Sequence, residues 1–320
     1  MRQAMYHGII NIYKEPGYTS HDVVARLRGI LKQKKIGHTG TLDPDAEGVL
    51  PVCLGAATRL CEAFAGDSKT YEAVLLLGLS TDTQDTSGRI LEDRSGEALR
   101  LSHQAVREAV CSFLGGYDQI PPMYSALKVD GKRLYELARQ GKEVERKPRR
   151  VDIPSISIEE IEMPRVRFAV ECSKGTYIRT LCHDIGEKLG CGGCMEHLKR
   201  LRVGRFAAQD GLRLDQVEEK KAEGTLEQWI LPIERALDEY PALFTSARGD
   251  KALHNGNPCF PGQLDRLKNG AVNAFEGARA RMYDSQGLFA GVYEYQEARG
   301  WWKPWKMFPL NDQGEEGRQG

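Results

Sequence analysis

Length, composition and charge place the chain among ordinary globular proteins: 320 residues favour two domains, and 41% hydrophobic with 28% charged residues suits packed cores. No apolar run approaches the roughly 20 residues that cross a bilayer, and the first residues lack a signal-peptide layout, so we expect a cytoplasmic protein without membrane contact. Lys plus Arg and Asp plus Glu both number 45, yet zero net charge does not exclude nucleic acid, because the distribution of charge matters more than its sum.

The first predicted elements are a strand and a helix. His7 to Lys14 alternates as a strand, and Ser20 is a predicted N-cap for a helix through Leu31. Further helices are predicted over residues 56–65, 102–114, 132–140 and 176–189, and further strands over 71–77, 123–128, 153–161 and 166–172. Because these elements follow no strict βαβ order, we predict an α+β fold around a mixed sheet.

The pattern of apolar and turn-forming residues changes near Tyr240. An acidic helical stretch, residues 214–239, precedes short apolar runs that alternate with Gly, Asn and Asp turns. This pattern is typical of a small β-rich module. We therefore predict a first, α+β domain over residues 1–239, a β-rich domain over 240–310 and a disordered tail over 311–320.

The segment Lys35 to Leu60 holds one aspartate, Asp43, in a turn rich in Gly and Thr, with His38 five residues before it. Glycines let such a loop press close to a ligand, and Asp43-Pro44 favours a turn. An Asp-Pro turn between two core elements is the simpler interpretation.

Two groups of residues could suggest a metal or redox site, but only weakly. Cys191 and Cys194 form a CxxC pair, but a zinc site would need a second pair or suitably spaced histidines, and none appears in the sequence. Asp82 and Asp85 suggest either a carboxylate pair or an Asx-rich turn, and we favour the turn. We predict no metal.

Basic residues cluster at three places in the sequence. Each cluster is interpreted either as a solvated face or as a contact with RNA. The clusters are Lys32 to Lys35, Arg146 to Arg150 and Lys199 to Arg205.

Several motifs, in order, carry a family resemblance. The pattern G-H-T-G-x-L-D-P-x-A-x-G-x-L-P around Asp43 resembles the catalytic motif of bacterial tRNA pseudouridine-55 synthases, the TruB type. Five further segments match the same family: KEPGYTS at 14–20, KTY at 69–71, MYSALK at 123–128, SKGTYIRTL at 173–181 and LKRLR at 198–202 with Gly204. The resemblance covers about residues 7 to 210. The C-terminal segment is reminiscent of a PUA-type RNA-binding module, and a plain β-barrel appendage is the alternative.

The resemblance implies a reaction and its central residues. Uridine becomes pseudouridine when the glycosidic bond breaks, the base rotates and carbon 5 joins the ribose. No redox change or external energy source is needed, so we expect no cofactor. A carboxylate can hold one fragment covalently, as in glycosidases. The family assigns this role to Asp43, with Arg179 as a partner that keeps the carboxylate charged and oriented.

The family also implies residues that hold the substrate. A uridine inside a folded T-arm must be flipped into a pocket, and stacking helps to offset the cost. Tyr71 resembles the tyrosine that stacks on the flipped uracil and helps to move the proton at carbon 5. Tyr177 and Leu198 resemble residues that wall this pocket, and His38 resembles the histidine that packs against the opened T-loop. By residue type alone, Tyr71, Tyr177 and Leu198 suit a core, and His38 a structural role.

The expected partner is the T-arm of tRNA, bound by a monomer without an obligate protein partner. Lys14, Lys174, Lys199 and Arg202 are candidate phosphate contacts. A guide-RNA-dependent relative and a non-catalytic RNA-folding protein are the rival hypotheses. The sequence leaves open whether Asp43 attacks the base or the ribose carbon.

Overall fold

A computed structural model describes residues 5–129, 131–269 and 274–308, so the predicted tail, residues 311–320, lies outside the described residues. The strands are β1 Gly8–Lys14, β2 Ile36–His38, β3 Glu47–Leu54, β4 Lys69–Leu77, β5 Leu79–Thr81, β6 Ile90–Asp93, β7 Gly115–Gln119, β8 Lys128–Val129, β9 Lys132–Arg133, β10 Arg149–Ile153, β11 Ser155–Glu162, β12 Arg165–Cys172, β13 Gly193–Val203, β14 Phe206–Ala207, β15 Ile230–Leu231, β16 Ala242–Phe244, β17 Arg279–Tyr283, β18 Phe289–Gln296 and β19 Trp301–Met307.

Most helices are short. They are α1 Ser20–Leu31, α2 Cys61–Phe64, α3 Ser95–Ala98, α4 His103–Cys111, α5 Leu134–Arg139, α6 Ile178–Leu189, α7 Leu214–Ala222, α8 Ile233–Ala236, α9 Ala247–His254 and α10 Arg266–Asn269. Short 3₁₀ turns cover Gly55–Leu60, Ala208–Asp210, Leu226–Trp229, Pro261–Gln263 and Glu297–Arg299. None of the helices in the described residues is long and apolar enough to span a membrane.

A nine-stranded sheet forms the centre of the molecule. Seven strands follow the order β11-β12-β4-β13-β3-β1-β15, with β14 paired to β13 and β2 paired to β3. β13 runs parallel to β3 and antiparallel to β4, and the other pairings in this sheet are antiparallel. The predicted mixed-sheet α+β fold is confirmed.

The contact between β3 and β13 depends on one glycine. Gly48 of β3 has φ +109°, and a Cβ added there would lie 2.2 Å from the backbone oxygen of Arg200. Only glycine combines this backbone angle with so close an approach. The next strand, β4, alternates buried and half-buried residues as a period-two strand should. The sheet thus places the start of β3, which follows the Asp43 turn, beside Arg200 of β13, and Tyr71 opposite Arg200 on the next strand, β4.

The beginning of α1 differs from the prediction. Thr19, not Ser20, is the N-cap: its backbone is extended, its hydroxyl accepts from the amide of Asp22, and Asp22 accepts from Thr19 in return. Ser20 is the first helical residue, and its hydroxyl accepts the amide proton of Leu42 at 2.9 Å. The residue predicted as a cap therefore anchors the Asp43 turn to α1.

The strand predicted over residues 123–128 is wrong. Only Lys128–Val129 pairs, with Lys132–Arg133, in a short hairpin. Pro121 and Pro122 lack the N–H groups of a sheet ladder, and the amide of Ser125 donates to the carbonyl of Met123 in a tight turn. The helix predicted over 56–65 is largely 3₁₀, and the stretch 214–239 contains two helices, α7 and α8, instead of one.

The C-terminal part is rich in strands, as predicted. β16-β17-β18-β19 form a four-stranded sheet. It shares an apolar cluster with the central sheet: Ile9, Val49 and Phe206 from one side pack with Phe289, Val292 and Phe308 from the other. The boundary near residue 240 remains a prediction, since the two sheets are joined by this common core.

Candidate active site

The Asp43 turn joins β2 to β3 at one edge of the central sheet. Its backbone closes through a hydrogen bond from the amide of Ala46 to the carbonyl of Asp43, 3.2 Å long. The neighbours Leu42 and Ala46 are buried, whereas the Asp43 side chain remains 39% exposed. The turn therefore presents one carboxylate to solvent above an apolar base.

Arg179 holds this carboxylate. Its Nε lies 2.9 Å from one oxygen of Asp43, and its Nη2 donates to the other at 3.4 Å. Arg179 lies in the first turn of α6, and its side chain is 7% exposed. Such a two-point contact between guanidinium and carboxylate fixes orientation as well as charge. The structure thus brings together the two residues that the motifs paired.

The remaining donors of Arg179 point to the protein. Nη1 donates to the carbonyl of Thr83 at 3.0 Å, and Nη2 donates to the carbonyl of Tyr124 at 2.9 Å. One oxygen of Asp85 lies 3.7 Å from Nη1. Because both the 81–88 turn and the 123–125 turn supply acceptors, the guanidinium cannot rotate away from Asp43 without losing them.

Asp85 sits in the predicted Asx-rich turn. Its Oδ1 accepts hydrogen bonds from the hydroxyls of Thr83 and Ser87 and from the amide of Ser87. Asp82 likewise accepts from the amide of Arg89. These bonds from nearby amides and hydroxyls to the aspartate side chains are those of an Asx-rich turn, so the turn prediction is confirmed. The sequence did not reveal that this turn also positions Arg179.

Tyr71 and Leu198 lie together beside the Asp43 turn. Tyr71 of β4 is 9% exposed and belongs to one apolar cluster with Leu42, Ala46 and Leu198. Burial raises the pKa of Tyr71, and the Asp43 carboxylate adds to this effect against an opposing Arg200. The phenol is therefore neutral near neutral pH, next to an apolar wall.

The backbone of Tyr177 is held by the side chain of Gln119. Gln119, which is buried, accepts from the amide of Tyr177 at 2.8 Å and donates to the carbonyl of Tyr177 at 3.0 Å. Burial raises the pKa of the half-buried Tyr177 phenol, and the charge of Asp43 contributes to the same shift. Tyr177 is thus near Asp43, immediately before α6. Gln119 is a positioning residue that the motifs did not indicate.

His38 ends β2, half-buried, five residues before Asp43. Burial lowers its pKa, with the charge of Arg200 acting in the same direction, so the imidazole is neutral near neutral pH. Its Nδ1 is buried, and a hydrogen bond between the ring and the backbone of Gly40 raises the pKa against the effect of burial.

The candidate phosphate contacts have different surroundings. Lys174 and Arg202 are exposed, and the ammonium of half-buried Lys199 lies 5.9 Å from the ring centre of Tyr13. Lys14 is 1% exposed, and its Nζ donates to the carbonyls of Glu15 and Pro44. An ammonium enclosed by backbone does not reach a surface phosphate, so this placement does not support the predicted contact of Lys14.

Arg200 is a site residue that the sequence did not single out. It is 1% exposed, and its guanidinium donates to the carbonyls of Gly40, Thr41 and Val49 at 2.8 to 3.2 Å. The LKRLR motif contained it, but the strand β13 was not predicted, so nothing indicated that its side chain points inward beneath the Asp43 turn.

Comparison with known proteins identifies the family of the chain. A family model described as "TruB family pseudouridylate synthase (N terminal domain)" matches residues 28–178, and one described as "tRNA pseudouridylate synthase B C-terminal domain" matches residues 179–238. A tRNA pseudouridine synthase B of Lachnoclostridium phytofermentans is 51% identical over 310 residues, covering 94% of this chain and 99% of that protein. Its namesake from Alkaliphilus oremlandii is 48% identical over 81% of this chain and 84% of its own length.

Solved structures show the same fold. A chain in a Cbf5-Nop10-Gar1 complex superposes with a TM-score of 0.68 at 26% identity, covering 95% of this chain and 86% of that one. Another, in an H/ACA RNP bound to a substrate RNA containing 2'-deoxyuridine, gives 0.70 at 23% identity, covering 98% and 93%. The two family models and the relatives near half identity show that the chain belongs to the TruB family of pseudouridylate synthases.

Proposed function

We propose that this enzyme converts uridine 55 in the T-loop of tRNA to pseudouridine, with Asp43 as the nucleophile. The observation that carries the proposal is the pairing of an exposed carboxylate with a buried guanidinium beside an apolar cluster. A charged carboxylate can form a covalent link to a substrate carbon and later release it, as it does in glycosidases. The isomerisation itself balances without an oxidant, a reductant or a nucleoside triphosphate.

The neighbouring residues suit a flipped uridine. Tyr71 supplies a neutral aromatic ring for stacking, and Leu198 belongs to the same apolar cluster. We assign Tyr177, on which the charge of Asp43 acts, to the wall of the same pocket. We assign His38 to contact with the opened T-loop, because its half-buried, neutral ring lies at the end of β2, five residues before Asp43. Residues of this chain supply every group in this scheme, and no metal or organic cofactor is implied.

We assign Lys174 and Arg202 to phosphate contact, since both cations are exposed. For Arg202→Ala we expect weaker tRNA binding and a salt dependence of log Kd that is flatter by about one unit. The single-turnover rate at saturating tRNA should stay within about twofold of wild type, because a contact equal in ground and transition states affects binding alone. Filter binding over a salt series measures the effect, and an unchanged Kd would rule out the contact.

The guide-RNA-dependent alternative makes a different prediction. The two solved structures compared above are chains of a ribonucleoprotein and of a multi-protein complex, whereas the relatives near half identity are named tRNA pseudouridine synthase B. We expect the purified chain to form pseudouridine in an unmodified tRNA transcript without guide RNA or partner protein. Activity that requires added guide RNA would contradict the proposal, and stoichiometric binding without turnover would favour the RNA-folding alternative.

Three further points remain predictions. The strand-rich C-terminal part is proposed to be PUA-like and to bind RNA. The enzyme is proposed to act as a monomer without an obligate protein partner, in the cytoplasm.

A further inference from the structure

Two buried cations lie beneath the Asp43 turn. Lys14 of β1 and Arg200 of β13 are each 1% exposed. Neither side chain forms an ion pair with a carboxylate within the described ranges of the chain. The carboxylates of Asp43, Asp45 and Glu47 favour the charged form of Lys14 from a longer distance. Burial of a charge without a direct ion pair costs several kcal/mol, so such groups are kept where strong hydrogen bonds to them are needed.

Most acceptors of these cations are backbone carbonyls on or near the turn, while Lys14 also donates to the carbonyl of Glu15 and Arg200 to the hydroxyl of Tyr71. Arg200 donates to Gly40 at 3.2 Å and to Thr41 at 3.1 Å, before Asp43, and its Nε fixes Val49 of β3 at 2.8 Å. Lys14 donates to Pro44, directly after Asp43, at 2.8 Å. The turn is therefore held on both flanks, while neither cation bonds the Asp43 side chain itself.

Lys14 keeps most of its charge near neutral pH. Burial lowers the pKa of Lys14 to about 8, which leaves the ammonium mostly protonated near neutral pH. The positive charge of Arg200 lowers the pKa of Tyr71, against the effect of burial. It also lowers the pKa of His38, in the same direction as burial. Hydrogen bonds from charged donors are roughly twice as strong as neutral ones, so the two anchors resist movement of the turn.

We propose that Lys14 and Arg200 are positioning residues, a clamp that fixes the Asp43 turn through the carbonyls of Gly40, Thr41 and Pro44 so that the carboxylate meets the substrate in one geometry. The inference rests on the proposed nucleophilic role of Asp43. A displacement of about 1 Å at a reacting group can lower a rate about 10²-fold, so rigidity of the turn has catalytic consequences.

Two variants test the clamp. Arg200→Lys keeps the charge but cannot reach three divergent carbonyls, and Lys14→Met keeps the length of the side chain but removes its donors. Arg165→Lys and Lys188→Met are matched controls, because these side chains are exposed and pair with Glu196 and Ser112 away from the turn. Amide hydrogen exchange of Leu42 and Ala46, single-turnover rate at saturating tRNA and tRNA Kd are measured for all four.

We expect exchange at Leu42 and Ala46 to accelerate at least about tenfold in both clamp variants, without change in the controls. We expect the single-turnover rate to fall about 10²-fold in each, with Kd within about threefold of wild type. In the double variant the loss should be less than the product of the single losses, since both residues act on one turn.

Several results would overturn the clamp. Unchanged exchange in both variants would show that the turn does not depend on them, and this readout needs no active enzyme, so it stands apart from a failure of the proposed function. Faster exchange with an unchanged rate would show that catalysis tolerates a loose turn. Equal losses in rate and Kd would indicate RNA contact, and failure of both variants to fold at the assay temperature would indicate a role in stability alone.

Discussion

Asp43→Ala is expected to lower the single-turnover rate of pseudouridine formation by at least about 10⁴-fold, with tRNA Kd within about threefold of wild type. The carboxylate is the exposed acidic group that Arg179 holds at 2.9 Å, and an alanine supplies no atom that can attack a substrate carbon. The basic and aromatic residues proposed to bind RNA keep their places. Quantitation of pseudouridine after a single turnover, together with filter binding, separates the two quantities.

Asp43→Asn is the matched variant for this prediction. It preserves the size of the side chain and removes its charge and nucleophilicity, so its loss of rate should approach that of the alanine variant. Turnover within tenfold of wild type in either variant would exclude the nucleophile assignment. A loss of tRNA binding equal to the loss of rate would instead make Asp43 a binding residue.

Arg179→Lys should lower the single-turnover rate about 10²- to 10³-fold while tRNA Kd changes by less than about threefold. A lysine cannot donate at once to both oxygens of Asp43 and to the carbonyls of Thr83 and Tyr124, which the guanidinium reaches at 2.9 to 3.4 Å. The carboxylate would therefore lose its fixed orientation, and two turns would lose an anchor. Rate and Kd are measured as for Asp43.

Arg165→Lys again provides the control, because Arg165 also makes a two-point contact with a carboxylate, Glu196, but on the exposed end of β12. Its rate and Kd should match wild type. Equal losses of rate and Kd in Arg179→Lys would indicate a phosphate contact in place of orientation of Asp43. Thermal unfolding of both variants separates loss of orientation from loss of folded protein.

The central pair of the site was predictable because each member lies in its own short motif. Asp43 and Arg179 are 136 residues apart, yet the DPDAEG and TYIRTL segments each identify one of them through the family resemblance. Alternation of side chains likewise predicted β4 and β12, where one face is buried.

The supporting residues were not predictable in the same way. Arg200, Gln119 and Asp85 act through contacts to distant backbone or side chains, and such contacts depend on sheet register that residue spacing does not give. Lys14 was predicted as a phosphate contact because it is basic, but it is buried and its ammonium donates to the carbonyl of Pro44. Thr19 caps α1, whereas the hydroxyl of Ser20 accepts from the amide of Leu42 beside Asp43. Which of the two hydroxyls would bond to the Asp43 turn was not visible in the sequence.

Position-resolved mapping of pseudouridine in a T-arm minihelix, after incubation with wild-type and Asp43→Ala enzyme and no guide RNA, tests the account most directly. We expect pseudouridine at the position of uridine 55 with the wild-type enzyme and none there with the Asp43→Ala enzyme. Modification elsewhere in the loop, or formation that survives removal of the carboxylate, would contradict it.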